Sequence, residues 1–256
     1  MTKKTALVSI TQGFLSLLIA ASLAGCATTN EPAASNPNFT KAEARAALPK
    51  RIVMLPAEVR VSEVSAGGVV EKVQAWTDQA KANIDSALRE AAKTSGAFEL
   101  VPLPGLSATD KQAIEQHLAL YGLVAAEAWI HSRSQDPAWA HKKTNFDYTL
   151  GPGLKFLKDK TGADAAMVLI CEDYISSGGR KAMMVFATIL SAAAGAVAVP
   201  QGAPSFVSGG VVSLEDGNLQ WVNYSLELGS ADLRNAPDAK RMVETAMRAY
   251  PGFTKQ

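Results

Sequence analysis

The feature that most constrains the fold is an apolar run in the second half of the chain, "ADAAMVLICEDYIS", residues 163–176. It has the length of a long strand, and near-continuous apolar strands are typical of sheets that are covered on both faces. The run is therefore the best candidate for the centre of a β-sheet. It includes Cys171, which we expect to be a buried, inert thiol in this apolar setting.

Strands and helices alternate before this central strand. The segment "RIVMLPAEVRV", residues 51–61, predicts a buried strand that is broken or bent at Pro56. From about Val69 to Lys93, apolar residues recur at three- and four-residue steps, which predicts a long helix with Gly96 as its stop signal. "AFELVPLP" then predicts a second, short strand.

Two further helices are expected between that short strand and the central one. Ser107, followed three residues later by Asp110, resembles a capping box and predicts the start of a second long helix. "GLKFLKDKTG" predicts a short helix that ends at Gly162. The polar and aromatic stretch 138–150 supports no assignment.

The C-terminal region predicts a β-hairpin followed by an amphipathic helix that begins near Asp238. Asp216-Gly217 separates two runs of strand-forming residues, which is a strong hairpin signal. Alternation in the second run suits a sheet with one buried face. One face would carry Val222, Tyr224, Leu226 and Leu228, and the other Trp221, Asn223, Ser225 and Glu227. The element order predicts an α/β fold: a mixed β-sheet with helices packed on it, then a C-terminal β-hairpin plus helix.

The N-terminus has the layout of a bacterial lipoprotein signal. Lys3 and Lys4 precede an uncharged apolar run that ends in Leu23-Ala24-Gly25-Cys26. This ending resembles the lipobox, in which the cysteine sulfur receives a diacylglyceryl group and the signal is cut before the cysteine. We therefore expect a signal peptide over 1–25 and lipid attachment, with palmitate-type acyl chains, at Cys26. An ordinary signal peptide with a chance cysteine and a signal anchor are the alternatives.

The predicted anchor leads to predictions of domain layout and location. The segment 26–48 is rich in Ala, Ser, Asn, Thr and Pro, which predicts a flexible tether to a single domain over 49–256. Ala27 follows the cysteine in place of the Asp that tends to retain lipoproteins at the inner membrane, which favours the periplasmic face of the outer membrane. The whole chain has 25 Lys and Arg against 24 Asp and Glu. This balance argues against a nucleic-acid partner, because phosphate binding needs a basic face.

An uncharged apolar segment, residues 182–199, lies between the central strand and the hairpin. Its length is near the lower limit for a transmembrane helix, yet it is dominated by alanine. We expect a buried helix or a segment used at an interface, packed against a partner subunit or the bilayer surface. A second membrane span is the alternative.

No residue pattern in the chain predicts catalysis, a cofactor or a metal. His117, His131 and His141 lack metal-binding spacing, and His117 is expected at a helix surface or boundary. Glu172 and Asp173 are adjacent in a predicted strand, so they should point to opposite faces. Other partial motifs fail: Lys160-Thr161 lacks the glycine of a phosphate loop, and Ser177-Gly178-Gly179 and Ser208-Gly209-Gly210 are interpreted as flexible turns.

The order of these elements resembles one family. Gly162-Ala163-Asp164 precedes the central strand, and Leu214-Glu215-Asp216-Gly217 with Trp221 forms the last hairpin. The pattern is similar to periplasmic lipoproteins related to the curli-secretion protein CsgG and to the amino-terminal domain of TolB. The resemblance implies an α/β sandwich that oligomerises or regulates envelope machines. Residues 125–150 are extra, and 182–199 lack the alternation of barrel hairpins, so a pore is not expected.

The sequence thus favours a lipid-anchored, non-enzymatic lipoprotein of the cell envelope. Its partners would be the membrane, through Cys26, and either its own copies in a homo-oligomer or an envelope-assembly complex. The hairpin and the apolar segment are the expected interaction surface. Two alternatives remain: an activator of peptidoglycan synthesis or cell-wall binder, and a hydrolase with an unrecognised site.

Overall fold

The computed structural model describes residues 34–35, 48–193, 202–251 and 253 of the 256-residue chain. These residues form an eight-stranded mixed sheet. Six strands follow one another in the order β1-β8-β7-β6-β2-β5. The other two extend the sheet beside β2: β3 pairs with the second half of β6, and β4 pairs with β3. The strands are β1 Ala34–Ser35, β2 Arg51–Met54, β3 Glu58–Val64, β4 Val70–Lys72, β5 Glu99–Val101, β6 Ala165–Ser176, β7 Pro204–Ser213 and β8 Leu219–Leu228.

The central strand is β6, as the sequence predicted. It pairs in parallel with β2 and β3 on one side and antiparallel with β7 on the other. The predicted break at Pro56 is confirmed, because β2 and β3 are two pieces of one path along β6. The backbone N–H of Leu55 still donates to Met167 O at 3.0 Å, so pairing persists up to the proline.

Helices cover both faces of this sheet, which confirms the mixed α/β prediction. They are α1 Gln74–Ser95, α2 Ala108–Arg133, α3 Lys155–Thr161, α4 Gly178–Ala193 and α5 Ala236–Met247. Helices α1 and α5 pack on one face, here called the α5 face, around Met167, Leu169 and Trp221. Helices α2 and α3 pack on the opposite face, the α2 face, around Val168 and Val222. The stretch 138–150, which the sequence left unassigned, begins within a 3-10 helix, Pro137–Lys143. Three later residues of the stretch are buried: Phe146, Tyr148 and Leu150.

The first helix begins later than the sequence predicted. It starts at Gln74 rather than near Val69, because Val70–Lys72 forms β4 and pairs antiparallel with β3. The Ser65 hydroxyl accepts the N–H of Val69 and helps to close the turn between the two strands. The helix ends as predicted, with Gly96 in the left-handed region at φ 61°.

The second helix begins with the predicted capping box. Ser107 Oγ accepts the N–H of Asp110 at 3.1 Å, and the Asp110 carboxylate accepts the N–H of Ser107 at 2.9 Å. Lys160 on α3 pairs with the same carboxylate. The hydrogen bond from Lys160 and those from Ser107 lower the pKa of Asp110 to about 2. The pair ties α3 to the start of α2.

The Gly162-Ala163-Asp164 motif joins α3 to the sheet. Gly162 ends α3 in the left-handed region, and Ala163 is fully buried. The Asp164 carboxylate accepts the N–H groups of Lys50 and Arg51 at 3.1 and 3.2 Å. The motif therefore fixes the start of β2 beside the start of β6.

The prediction that Ser208-Gly209-Gly210 forms a flexible turn is wrong. These residues lie inside β7 and pair with both β6 and β8. A Cβ at Gly210 would come within 2.6 Å of the ring of Tyr121, so the glycine lets α2 approach the sheet closely. The same prediction for Ser177-Gly178-Gly179 is also wrong, because Gly178 and Gly179 form the start of α4, where Ser177 Oγ accepts the N–H of Arg180.

Candidate interaction surface

Three strands meet at one end of the sheet, where β6 and β8 finish and β7 begins. Asp173 pairs with Ser205 across β6 and β7, and Pro204 pairs with Leu228 across β7 and β8. Helix α4 leaves the sheet at this same end, directly after β6. We call it the distal end.

Apolar side chains lie exposed on the α2 face of the distal end. Leu226 is 57% exposed and Leu228 is 50% exposed, whereas Val222 on the same face of the same strand is fully buried. Phe206 pairs with Leu226 across β7 and β8 and is half-buried. We call Phe206, Tyr224, Leu226 and Leu228 the β8 patch.

An aromatic group from α2 marks the place where helix coverage of β8 ends. The rings of Trp129 and Tyr224 meet edge to face with centroids 4.6 Å apart, and Phe206 lies 5.1 Å from Tyr224 on its other side. The guanidinium of Arg133 lies 3.2 Å from the centroid of the Trp129 ring. Burial raises the pKa of Tyr224 to about 12, so its hydroxyl is neutral at physiological pH.

Helix α4 presents four large apolar side chains outward. Phe186 and Ile189 are each 61% exposed, and Met183 and Val185 are also exposed. The half-buried positions on this helix include Met184, Thr188 and Ser191. We call Met183, Val185, Phe186 and Ile189 the α4 face. The expectation of a helix is confirmed, but burial inside this chain is wrong for the α4 face.

None of the helices within the described residues has the length and apolar character needed to cross a membrane. Residues 194–199 of the apolar segment lie outside the described part.

A cavity of about 280 Å³ lies between the base of α4 and the loop after β8. Lys181 and Met184 of α4 line one side, and Ser230, Asp232 and Asp238 line the other. The hydrogen bonds from the Arg234 side chain lower the pKa of Asp232, whose carboxylate is paired with that guanidinium. Asp238 pairs with Arg241 at 2.6 Å, so each of these two carboxylates has an arginine partner.

Glu172 and Asp173 point to opposite faces of β6, as the strand geometry predicted. Glu172 accepts a hydrogen bond from the Tyr174 hydroxyl at 2.9 Å. Asp173 is buried on the α5 face, where it accepts from Ser205 Oγ at 2.6 Å and from the N–H of Leu233 at 2.8 Å. Burial raises the pKa of Asp173. The two carboxylates therefore do not converge on one substrate, and Asp173 holds the loop that leads into α5.

The remaining sequence candidates lie apart from one another. Cys171 is fully buried on the α5 face, and burial raises its pKa strongly, as expected of an inert thiol. His117 Nδ1 lies 2.7 Å from Ala113 O at a half-buried helix position, and His131 stacks on Trp139 with centroids 3.7 Å apart. Among the described residues, no three His, Cys, Asp or Glu side chains are placed to hold a metal ion.

The predicted anchor lies outside the described residues. This applies to the signal peptide over 1–25, to lipid attachment at Cys26, and to the predicted tether over 26–48 apart from Ala34–Ser35 and Leu48. Ala34 and Ser35 form β1, which pairs antiparallel with Val222 and Trp221 of β8.

No family model matches the sequence, and no curated protein matches it significantly.

Proposed function

We propose that this chain is a lipoprotein held at the periplasmic face of the outer membrane by acyl chains on Cys26, with a non-catalytic α/β domain that binds a protein partner. The partner is a second copy of the chain or an envelope-assembly complex. The domain binds it through the β8 patch. The anchor rests on the lipobox-like sequence at Leu23–Cys26.

The observation that carries the binding proposal is the exposure of Leu226 and Leu228. Both are large apolar side chains at the end of an otherwise covered strand, and they adjoin the half-buried rings of Phe206 and Tyr224. Contiguous exposed apolar and aromatic side chains are characteristic of the core of a protein–protein interface. The Arg133 guanidinium beside Trp129 adds a residue type that is enriched in such interfaces.

The resemblance to the CsgG and TolB group supports the same proposal. The Gly162–Asp164 motif stands at the start of the central strand, and Asp216-Gly217 stands at the turn of the β7–β8 hairpin. We propose that the domain is a sandwich of that group. Because its members oligomerise or regulate envelope machines, self-association is the first form of binding to test.

Crosslinking in intact cells, followed by sizing, tests partner binding. We expect the wild-type chain to give a crosslinked species that is lost in Leu226→Ser/Leu228→Ser. Leu123→Ser is the matched control, because Leu123 is 71% exposed on α2 and lies outside the patch. A wild-type protein that remains solitary would contradict the proposal. Retention on isolated sacculi without a crosslinked protein would favour the cell-wall alternative.

The anchor is tested separately. Cys26→Ser should remove the acyl mass and release the chain from pelleted envelopes. An unaltered mass and unaltered pelleting would rule out lipid attachment at this position.

A further inference from the structure

Helix α4 has the polarity opposite to that of a helix that packs on its own domain. Its outward residues are apolar, and each is between 49% and 61% exposed: Met183, Val185, Phe186 and Ile189. Thr188 and Ser191 occupy half-buried positions and satisfy their hydroxyls within the helix, on Met184 O and Thr188 O at 2.8 and 2.9 Å. A helix folded onto a core would bury the first group and expose the second.

Helix α4 carries two charged residues, and both are basic. Lys181 is exposed at the base of the helix, and Arg180 precedes it. From Ala182 to Ala193 the helix carries no charged residue. An amphipathic helix with basic residues beside an apolar face lies in the headgroup region of a bilayer, with the apolar side chains buried to about 5–10 Å.

The position of β1 places a lipid leaflet within reach. Cys26 lies eight positions before Ala34, which pairs with Val222 of β8. An extended chain of that length spans at most about 28 Å. From Val222, strand β8 runs about 20 Å to Leu228 at the distal end, where α4 leaves the sheet. Because β1 runs antiparallel to β8, the chain enters β1 from the side of the distal end, so an acylated Cys26 can reach a leaflet that lies at that end.

We infer that the α4 face is a second membrane contact: it inserts into the headgroup region of the leaflet that holds the acyl chains of Cys26. A helix of 16 residues is about 24 Å long, which suits a helix lying along the surface. This inference rests on the proposed lipid anchor. It leaves the β8 patch, on the α2 face of the sheet, for a protein partner.

The cysteine content of the chain makes a direct test practical. Cys171 is fully buried and Cys26 is acylated in the proposed form, so an introduced cysteine is the accessible thiol for labelling. We would label Ile189→Cys with an environment-sensitive fluorophore in the full acylated chain. Ala82→Cys on α1 is the matched control, because it is also an exposed helical position. Both proteins go into vesicles of phosphatidylethanolamine and phosphatidylglycerol that contain a lipid with a nitroxide near the headgroup.

The expected result is strong nitroxide quenching at position 189 and little at position 82, with about tenfold weaker quenching at 189 after Phe186→Ser is added. Equal quenching at both positions in a vesicle-bound protein would overturn the inference and leave the anchor intact. Protection of position 189 that depends on protein concentration and not on the nitroxide would also overturn it, since a second copy would then cover α4. Failure of the wild-type chain to bind vesicles, with no acyl mass, would instead count against the proposed anchor.

Discussion

At the distal end, the two faces of the β7–β8 hairpin differ in burial in the opposite sense to that expected from their residue types. On the α5 face, the polar side chains Asn223, Ser225 and Glu227 are buried. On the α2 face of the same strand, Leu226 and Leu228 are exposed. Coverage by other elements decides burial here, because α5 and its preceding loop extend over the distal end and α2 does not.

Asn223 and Glu227, two of the buried polar side chains on the α5 face, have hydrogen-bond partners. Asn223 Nδ2 donates to Ala246 O, near the end of α5, at 2.8 Å. Arg241 of α5 binds both carboxylate oxygens of Glu227, at 3.0 and 3.1 Å. Buried polar groups are tolerated when they are hydrogen-bonded in this way. The exposed leucines have no comparable compensation within the described chain, which is why we assign them to a partner.

The largest expected difference between the covered and uncovered parts of β8 is in stability. Leu219→Ala, at a fully buried position, should lower the free energy of unfolding by about 2–5 kcal/mol. Leu226→Ala should change it by less than about 0.5 kcal/mol, because Leu226 is mostly exposed. Urea unfolding followed by tryptophan fluorescence measures both, since Trp221 lies buried in the same strand.

A comparable loss in both variants would mean that Leu226 is covered in the free protein. The role of the β8 patch as an open surface would then be wrong. Leu228→Ala gives an independent repeat at the next exposed position on that face.

Two adjacent glycines in β7, Gly209 and Gly210, lie against different helical layers. Substitutions at these positions therefore compare how closely each layer packs on the sheet. A Cβ at Gly210 would press on the ring of Tyr121, a fully buried residue of α2. A Cβ at Gly209 would meet Met247 Sδ of α5 at 3.2 Å, and methionine can move aside. We expect Gly210→Ala to cost about 1–3 kcal/mol and Gly209→Ala clearly less, measured by thermal and urea unfolding.

The pair also has an internal control. Tyr121→Leu should relieve part of the cost of Gly210→Ala and none of the cost of Gly209→Ala. A double-mutant cycle with no coupling between positions 121 and 210 would show that close approach of α2 is not what the glycine provides.

Much of the fold could be predicted from local patterns. The apolar run in β6, the capping box at Ser107, the stop at Gly96 and the Asp216-Gly217 turn all appear where the sequence places them. These signals depend on a few neighbouring residues, so no knowledge of the distant chain is needed. The spacing of Val69 and Val73 fits a helix, but Val70–Lys72 pairs with β3 instead.

The candidate surface was harder to predict. Alternation along β8 sorted the side chains correctly onto two faces, but it carries no information about which face a helix from elsewhere will cover. Trp129 and Tyr224 are distant in sequence, and their contact arises only from the path of α2. The apolar run 182–199 indicates an unusual segment. Its sequence does not show whether the helix packs on the rest of the chain, because that depends on the tertiary structure.

The smallest expected effect is a difference in pH dependence between two carboxyl groups on the α5 face. Burial raises the pKa of Asp173, whereas the hydrogen bonds from Arg241 lower the pKa of Glu227. Stability from Asp173 is fully present below its unfolded pKa of about 3.9 and is lost as pH rises through the folded value. Stability from Glu227 is present above its unfolded pKa of about 4.3 and is lost as pH falls through the folded value.

Asp173→Asn and Glu227→Gln should therefore diverge when unfolding free energy is measured across acidic to neutral pH. Relative to wild type, Asp173→Asn becomes more favourable as pH rises, and Glu227→Gln becomes less favourable. Asn at 173 keeps the hydrogen bonds, because its oxygen can accept from Leu233 N while its amide donates to Ser205, whose hydroxyl reaches Ala231 O at 3.1 Å. Parallel pH curves for the two variants would show that the buried Asp173 is already compensated as a carboxylate, and that both polar groups on the α5 face are held in the same way.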